Sequence, residues 1–412
     1  MTNAFHYQQG QLYGEETPLA AIAAVVGTPV YVYSQAALRE RAAATVAAAR
    51  QTAVRSLVCY AVKANGNPAL LQLLGEQGLG ADLTSGGELF LAQTAGIPPD
   101  RLLFSGVGKS SAEIRQALQA GIRALHVESL PEMERIAGIA QSLQIIAPVA
   151  VRLNPDVTAD THPAIRTGGR QHKFGVNAAA ARQMLLMAMA HPWLQPVGLA
   201  AHIGSQIREL APFRQAAAAL LRLAAELEAA GCRLQYLDVG GGLGLDSVEQ
   251  AAPTAAAWAA AVGEPVAQAG YELVMEPGRS LVGDAGILLT QVEYVKEEGG
   301  KRFVVVDAGM NDFIRPALYG GAHPIWPVFW RGDQTAAVDV VGPVCETGDT
   351  LARDYLLPAM ATGDLLAVMQ AGAYGYAMSS NYNGRLRPAE VLISGAIYCL
   401  IRPRQTLAHL LG

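Results

Sequence analysis

From Ser56 to about Leu281 the chain alternates short, β-rich apolar runs with Ala- and Leu-rich segments of helical length. The runs read SLVCYAV, LGADLTS, RLLFSG, RALHVES, IAPVAVRLNP, PVGLAAHIGS, LQYLDVGGG and ELVMEPG. Between them lie stretches such as SSAEIRQALQAG, LPEMERIAGIAQSL and FRQAAAALLRLAAELEAAG. Several of these stretches end in Gly, a residue suited to the position just past a helix. Strand–helix repetition predicts a parallel α/β fold, and eight repeats predict a closed (β/α)8 TIM-type barrel over residues 36–284. After about Leu281 the pattern changes. ILLTQVEYVKEE, KRFVVVDAG, AAVDVVGPVCETGD, DLLAVMQAG and EVLISGAIYCLI are strand-like runs punctuated by Gly, Asp and Pro, which predicts an all-β, sandwich- or barrel-like domain over residues 285–412. Residues 1–35, containing TPVYVYS, are expected to pack with that β domain.

Composition narrows the class of protein. The chain has 412 residues, 51% hydrophobic and 16% charged, with a formal net charge of −5. A large core is expected, and no basic block offers a footprint for nucleic acid or an anionic membrane. Gly, Arg or Glu interrupts the apolar runs well before the roughly 20 residues a membrane span needs. The N-terminus, MTNAFHYQQGQLYGEETP, lacks a basic region followed by an apolar one, so it does not read as a secretory signal. The cytoplasm is the expected location. Cys59, Cys232, Cys345 and Cys399 are far apart and form no C-x-x-C pair, which argues against a zinc knuckle, a redox dithiol or a disulfide framework. No metal site is expected.

In a βα barrel the chemistry sits at the C-terminal ends of the strands. Read in order, those ends carry Lys63, Asp82, Ser105, Glu128, Arg152 with Asn154, His202, the run Gly240, Gly241, Gly242, and Glu276 with Arg279. Each has a bland reading by itself: a solvated strand end, a structural histidine, an ordinary turn. Together they put an amine, an imidazole, a glycine run and a carboxylate on one face. The glycine run fails the dinucleotide fingerprint, because Leu245 stands where the third glycine belongs. Consecutive glycines still let backbone N–H groups approach an anion, and late barrel strands are a frequent phosphate site. Lysine, phosphate cradle and carboxylate together suggest pyridoxal 5'-phosphate (PLP). The lysine would form the Schiff base, and Glu276 beside the pyridine nitrogen would keep that nitrogen protonated. His202 would stack on the ring.

With its motifs in order, GTPVYVYS, YAVKAN, SGGEL, RLNPDVTADTHPAIRTG, HKFGV, HIGSQ, DVGGGLG, EPGRSLV, DAGMNDFIRPALYG, GPVCETGD and GAYGYAMSSNYNGRLRPAEVL, the chain resembles the diaminopimelate decarboxylase family, of the alanine-racemase-like class of PLP enzymes. The likeness runs over nearly the full length. It implies decarboxylation of meso-2,6-diaminopimelate to L-lysine, the last step of lysine biosynthesis, by a PLP-binding barrel and a β domain that takes the N-terminal strand. Residue by residue it implies Lys63 as the covalent anchor and His202 as the stacking ring. Ser205, Gly240, Gly241, Gly242, Glu276, Pro277, Gly278 and Arg279 would hold the cofactor. Arg279, Arg315 and Tyr319 would grip the distal carboxylate of the substrate, Glu346 would face its distal ammonium, and Tyr374 would touch both cofactor and substrate. Cys345 would donate the proton after CO2 leaves. The resemblance further implies a head-to-tail homodimer in which Cys345 and Glu346 reach the partner's site, and a mobile loop over Thr161–Gly175. Gly321 and Thr347 depart from the family pattern without touching a proposed catalytic group.

Arginine pairs with carboxylate bidentately, which a lysine point charge does less well. Glu346 beside the thiol favours a distal amine, and cysteine suits the donor role because its pKa lies within reach of neutral pH. Three alternatives stand against this reading. A related decarboxylase would act on ornithine, arginine, carboxynorspermidine or a carrier-bound amino acid, but Arg279, Arg315 and Tyr319 argue for a distal carboxylate that ornithine and arginine lack. A racemase would place arginine, not Glu276, at the pyridine nitrogen. A non-catalytic PLP-fold protein would have lost Lys63 or Cys345.

Overall fold

The computed structural model describes residues 4–157, 168–169, 173–247, 250–332 and 334–411. Packing divides the chain into two compact units, residues 41–280 and residues 1–40 with 281–412. The first boundary falls inside the helix Gln35–Thr52.

The central unit is a closed barrel of eight parallel strands: β1 (Ser56–Ala61), β2 (Gly80–Leu83), β3 (Leu102–Phe104), β4 (Ala124–Val127), β5 (Ala147–Arg152), β6 (Leu194–Ala200), β7 (Tyr236–Asp238) and β8 (Glu272–Met275). Seven of the eight apolar runs read from the sequence contain one of them, and PVGLAAHIGS overlaps β6, which starts two residues earlier. β8 pairs with β1, with Leu273 against Ser56 and Met275 against Val58, and this closes the ring. Intervening helices start where side-chain oxygens satisfy exposed backbone N–H groups. Ser110 and Glu113 form a capping box at the head of Ser111–Ala120, which ends on Gly121 at φ 67°. Ser129, Asn177 and Thr254 cap three later helices by their side-chain oxygens alone, without the reciprocal carboxylate.

Inside the barrel, side chains alternate by strand pleat. Leu57, Cys59, Leu103, Ala124, Ala150, Val197, Tyr236 and Val274 form a buried cluster. Two residues further along their strands stand Ser105, His126, Arg152, Asp238 and Glu276, on the same face as Leu103, Ala124, Ala150, Tyr236 and Val274. An apolar floor thus carries a polar layer one pleat higher, at the C-terminal ends of the strands.

In the second unit, Val30–Ser34 is an inner strand. It pairs antiparallel with Gly286–Glu298 and parallel with Ala389–Ser394. The sheet continues outward through Lys301–Val306, Thr335–Val341 and Thr350–Pro358 on one side and Ile397–Arg402 on the other. This unit is mainly β but not wholly so. It contains helices at Leu19–Val26 and Arg315–Tyr319, and a small meander of Phe5–Gln8, Gln11–Gly14 and Thr17–Pro18. No helix among the described residues is long and apolar enough to cross a membrane.

Candidate active site

The polar layer opens into a cavity of about 180 Å³ lined by Lys63, Asp82, Ser105, His126, Arg152, His202 and Glu276, among others. Lys63 follows β1 in a short 3-10 turn, and its Nζ donates to Asp82 Oδ2 at 2.7 Å. The lysine side chain is one-third exposed, while Asp82 is fully buried. Burial works to raise the Asp82 carboxyl, but the Lys63 charge and the hydrogen bonds from Lys63 and Ser105 outweigh it, and the net shift is downward.

Arg152, at the end of β5, donates to Glu128 Oε1 at 3.0 Å and lies over the Phe174 ring at 4.9 Å. The Glu128 carboxylate also accepts from the N–H groups of Gly106 and Gly175. A second ion pair braces this side of the rim. The buried Lys109 ammonium donates to Glu132 and to the carbonyls of Gly106 and His126, at 2.6–2.7 Å.

His202 follows β6, and its Nδ1 accepts the Gly241 N–H at 3.1 Å. That bond puts the ring proton on Nε2. Burial, reinforced by the nearby Lys63 and Arg152 charges, lowers the imidazole pKa to about 3, so the ring is neutral at physiological pH.

The glycine run after β7 has a steric reason for each member. A Cβ at Gly240 would lie 2.4 Å from the Ala201 carbonyl oxygen, one at Gly241 1.9 Å from that of Glu276, and one at Gly242 2.2 Å from that of Gly204. Strand ends β6 and β8 close on this turn, and only glycine fits between them. The Gly240 and Gly241 amides are taken, by Asp238 Oδ1 at 2.8 Å and by His202. Of the backbone N–H groups expected from the sequence to approach an anion, those of Gly240 and Gly241 are thus engaged within the chain. Gly241→Ala should destabilise the protein by about 1–3 kcal/mol through overpacking, checked by denaturant unfolding; an unchanged midpoint would contradict the close approach.

Glu276 sits just beyond β8 and Asp238 ends β7. His126 on β4 places Nδ1 3.9 Å from Glu276 Oε1 and Nε2 4.0 Å from Asp238 Oδ2. Its nearer partners are Ser105 Oγ at 3.3 Å and the Tyr236 hydroxyl at 3.0 Å. Burial lowers the His126 pKa to about 3 and raises Asp238 to about 7, while Glu276 is raised well above the carboxylate range, by burial first and by Asp238 second. His126, Asp238 and Glu276 offer ligand-type atoms within 4.8 Å of one another, but both imidazole nitrogens are already engaged. Sequence reading missed His126 and Asp238, which lie inside their strands rather than past the ends.

Arg279 is buried, with Nε and Nη2 both 3.5 Å from Ser205 Oγ. Asn154 donates instead to the carbonyls of Gly169 and Phe174. In the second unit, the buried Arg315 guanidinium lies over the Tyr319 ring at 5.4 Å and the Tyr374 ring at 6.0 Å, and its Nε is 3.4 Å from His323 Nε2. Cys345 and Glu346 are exposed. Their loop is tied down by Asp349, whose carboxylate accepts from Val344 and Met310 N–H, by Asn383 on the Cys345 N–H, and by Tyr382 on the Glu346 carboxylate. Most of the expected mobile loop, Thr161–Gly175, lies outside the described residues.

The family model described as pyridoxal-dependent decarboxylase, pyridoxal binding domain, matches residues 38–283. A diaminopimelate decarboxylase of Aquifex aeolicus is 44% identical over 405 residues, covering 98% of this chain and 96% of that one. One from Neisseria meningitidis serogroup B is 46% identical, covering 96% and 95%. Among solved structures, the Helicobacter pylori diaminopimelate decarboxylase complexed with L-lysine matches with a TM-score of 0.91 at 40% identity, over 95% of this chain and 98% of that one.

Proposed function

This chain belongs to the diaminopimelate decarboxylases within the pyridoxal-dependent decarboxylase family, and from that premise we infer how its residues divide the work. It is a PLP-dependent carboxy-lyase that converts meso-2,6-diaminopimelate to L-lysine and CO2. The observation that carries the site assignment is the pairing, in one cavity, of the Lys63 amine with the buried Glu276 carboxyl. Oε1 of Glu276 has no hydrogen-bond partner among the described residues.

These residues fit the cofactor. Lys63 provides the covalent anchor and Glu276 an orphaned buried acceptor for a ring N–H. His202 provides a neutral flat ring held in one tautomer, and Gly242, Gly278, Ser205 and Arg279 stand at the adjoining turns for the phosphate. When bound, PLP supplies an electron sink for the carbanion that departing CO2 leaves behind.

The chain does the rest. Glu276 holds a proton at the pyridine nitrogen. Gly241 fixes His202 in a plane that excludes water from one face. Arg279 and Arg315 with Tyr319 hold the distal carboxylate, Glu346 the distal ammonium, and Tyr374 closes on both ligands. Cys345 delivers the proton that replaces CO2. Cys345 and Glu346 come from a second copy of the chain in this proposal: a proton donor needs a shielded setting, and in the single chain both are exposed. A cytoplasmic location is part of the same proposal, in keeping with four free cysteines.

Release of CO2 and L-lysine from meso-diaminopimelate, measured with and without added PLP, tests the activity. Ornithine and arginine in parallel test the distal-carboxylate clamp. Lysine formation should depend on PLP and the other two substrates should be poor; faster turnover of ornithine would overturn the roles given to Arg279 and Arg315.

A further inference from the structure

We infer that Asp238 is a positioning residue: it shares one proton with Glu276 in the cofactor-free site and so keeps that proton at hand for the pyridine nitrogen. This rests on the reading of Glu276 given above and extends it by one residue.

The strands dictate the juxtaposition. β7 and β8 are adjacent and parallel, with Asp238 opposite Val274. Glu276 lies one pleat beyond Val274 and points to the same interior. Both carboxyls are buried, Asp238 completely. Asp238 Oδ1 accepts from the Gly240 N–H; Asp238 Oδ2 and Glu276 Oε1 each have no donor among the described residues, and the two carboxyls approach within 4.8 Å. These are two acceptor oxygens, one from each residue, in a buried place where an unmet acceptor is costly.

The neighbouring groups do not resolve the deficit. His126 is about 4 Å from each carboxyl and spends its ring nitrogens on Ser105 and Tyr236. Lys63 is paired with Asp82 and Arg152 with Glu128. A single proton between the two carboxyls gives the protonated one a donor and the other a partner. It also removes the cost of two like charges side by side, which is the reason one member of such a pair resists ionisation. Burial raises both groups; Asp238 raises Glu276 further, while the hydrogen bond from Glu276 works to lower Asp238, as expected where Glu276 carries the shared proton and Asp238 accepts it.

The proton balance follows. In the cofactor-free site the pair carries one proton and one negative charge. With the cofactor loaded, the ring nitrogen carries a proton and both carboxyls are ionised, so the pair has given up its proton to the ring or to solvent. In Asp238→Asn the amide oxygen still accepts from Gly240 and the amide N–H₂ donates to Glu276 Oε1. The lost Asp238 charge and the new amide donor both favour ionised Glu276 against burial, so Glu276 enters loading without a proton to give. Loading that variant must therefore take up about one more proton, or release about one fewer, than loading the wild type. The Lys63 chemistry is common to both proteins and cancels.

The test is calorimetric titration of PLP into the cofactor-free full-length protein at neutral pH, in buffers of different ionisation enthalpy. The slope against buffer enthalpy counts protons. A difference of about one proton between wild type and Asp238→Asn is expected; equal counts overturn the inference. A purely structural role for Asp238 would alter affinity without altering the count. Should the variant fail to fold, the wild type decides alone. Its cofactor-free infrared spectrum should show a protonated carboxylic acid band that shifts in D2O and disappears in Glu276→Gln, and its absence overturns the shared proton. If PLP does not attach to wild type at all, the cofactor reading fails instead; attachment with equal proton counts sinks only the role of Asp238.

Discussion

Lys63→Ala is expected to abolish covalent attachment of PLP and to cut turnover of meso-diaminopimelate by on the order of 10⁴–10⁶, the scale of losing a covalent nucleophile. Absorbance of the lysine-bound cofactor and CO2 release read the two effects separately, and retained turnover would refute the assignment. The substitution has a second consequence, at Asp82. In the wild type the folded-state pKa of Asp82 is lowered, so its pairing with Lys63 contributes stability above the ordinary carboxylate value that is lost as pH falls through the folded value. Without Lys63 the main lowering influence is gone and burial, which raises, dominates. A raised carboxyl contributes its stability at low pH and loses it as pH rises. The difference in melting temperature between wild type and Lys63→Ala, measured on cofactor-free protein, should therefore widen between roughly pH 4 and 7. A difference that stays flat over that range would mean Lys63 does not hold Asp82 ionised. The lysine is one-third exposed, so solvent screens the pair and the gap should be modest.

The barrel was legible because short, continuous apolar runs and helical Ala/Leu segments differ sharply in texture, and each run contains or overlaps an observed strand. Lys63, His202 and Glu276 stood out because they interrupt or follow such runs. His126 and Asp238 did not, since a polar residue inside RALHVES or LQYLDVGGG looks like noise until the pleat is counted. Counting it would have found them: each lies two residues after a barrel-interior side chain, Ala124 and Tyr236. The glycine run was legible as a close approach, but not what approaches. Two of its amides serve Asp238 and His202, a fact of three-dimensional turn geometry that spacing does not encode. The meander at Phe5–Pro18 was missed for a related reason. Its strands are two to four residues long, too short for alternation to register. For Cys345 and Glu346 the limit is different in kind. The loop that carries them is well tied, by Asp349, Asn383 and Tyr382, and the proposed role in a second copy's site lies beyond one chain's contacts.

The role of those two residues is therefore best decided by mixing chains. Cys345→Ala alone should lower kcat by roughly 10²–10⁴, the usual contribution of a positioned general acid, while PLP remains attached to Lys63. That result identifies the donor but not which chain supplies it. A mixture of Lys63→Ala and Cys345→Ala proteins separates the two arrangements. If each site takes Lys63 from one subunit and Cys345 from the other, a mixed dimer has one site lacking both groups and one with both intact. Random exchange of equal amounts makes half the dimers mixed, so the mixture should recover about a quarter of the wild-type rate. If both groups come from the same chain, every site in every dimer lacks one of them, and no recovery occurs at any mixing ratio. Exchange is verified by mass-tagged subunits before the assay. Activity that stays at the level of the separate variants, with exchange complete, would remove the shared-site dimer from the proposal and leave Cys345 as donor within its own chain. Adding Glu346→Gln to the Lys63→Ala chain should lower the recovered activity on meso-diaminopimelate. Adding it to the Cys345→Ala chain should leave the recovered activity unchanged, because only the Lys63→Ala subunit lends its loop to the working site.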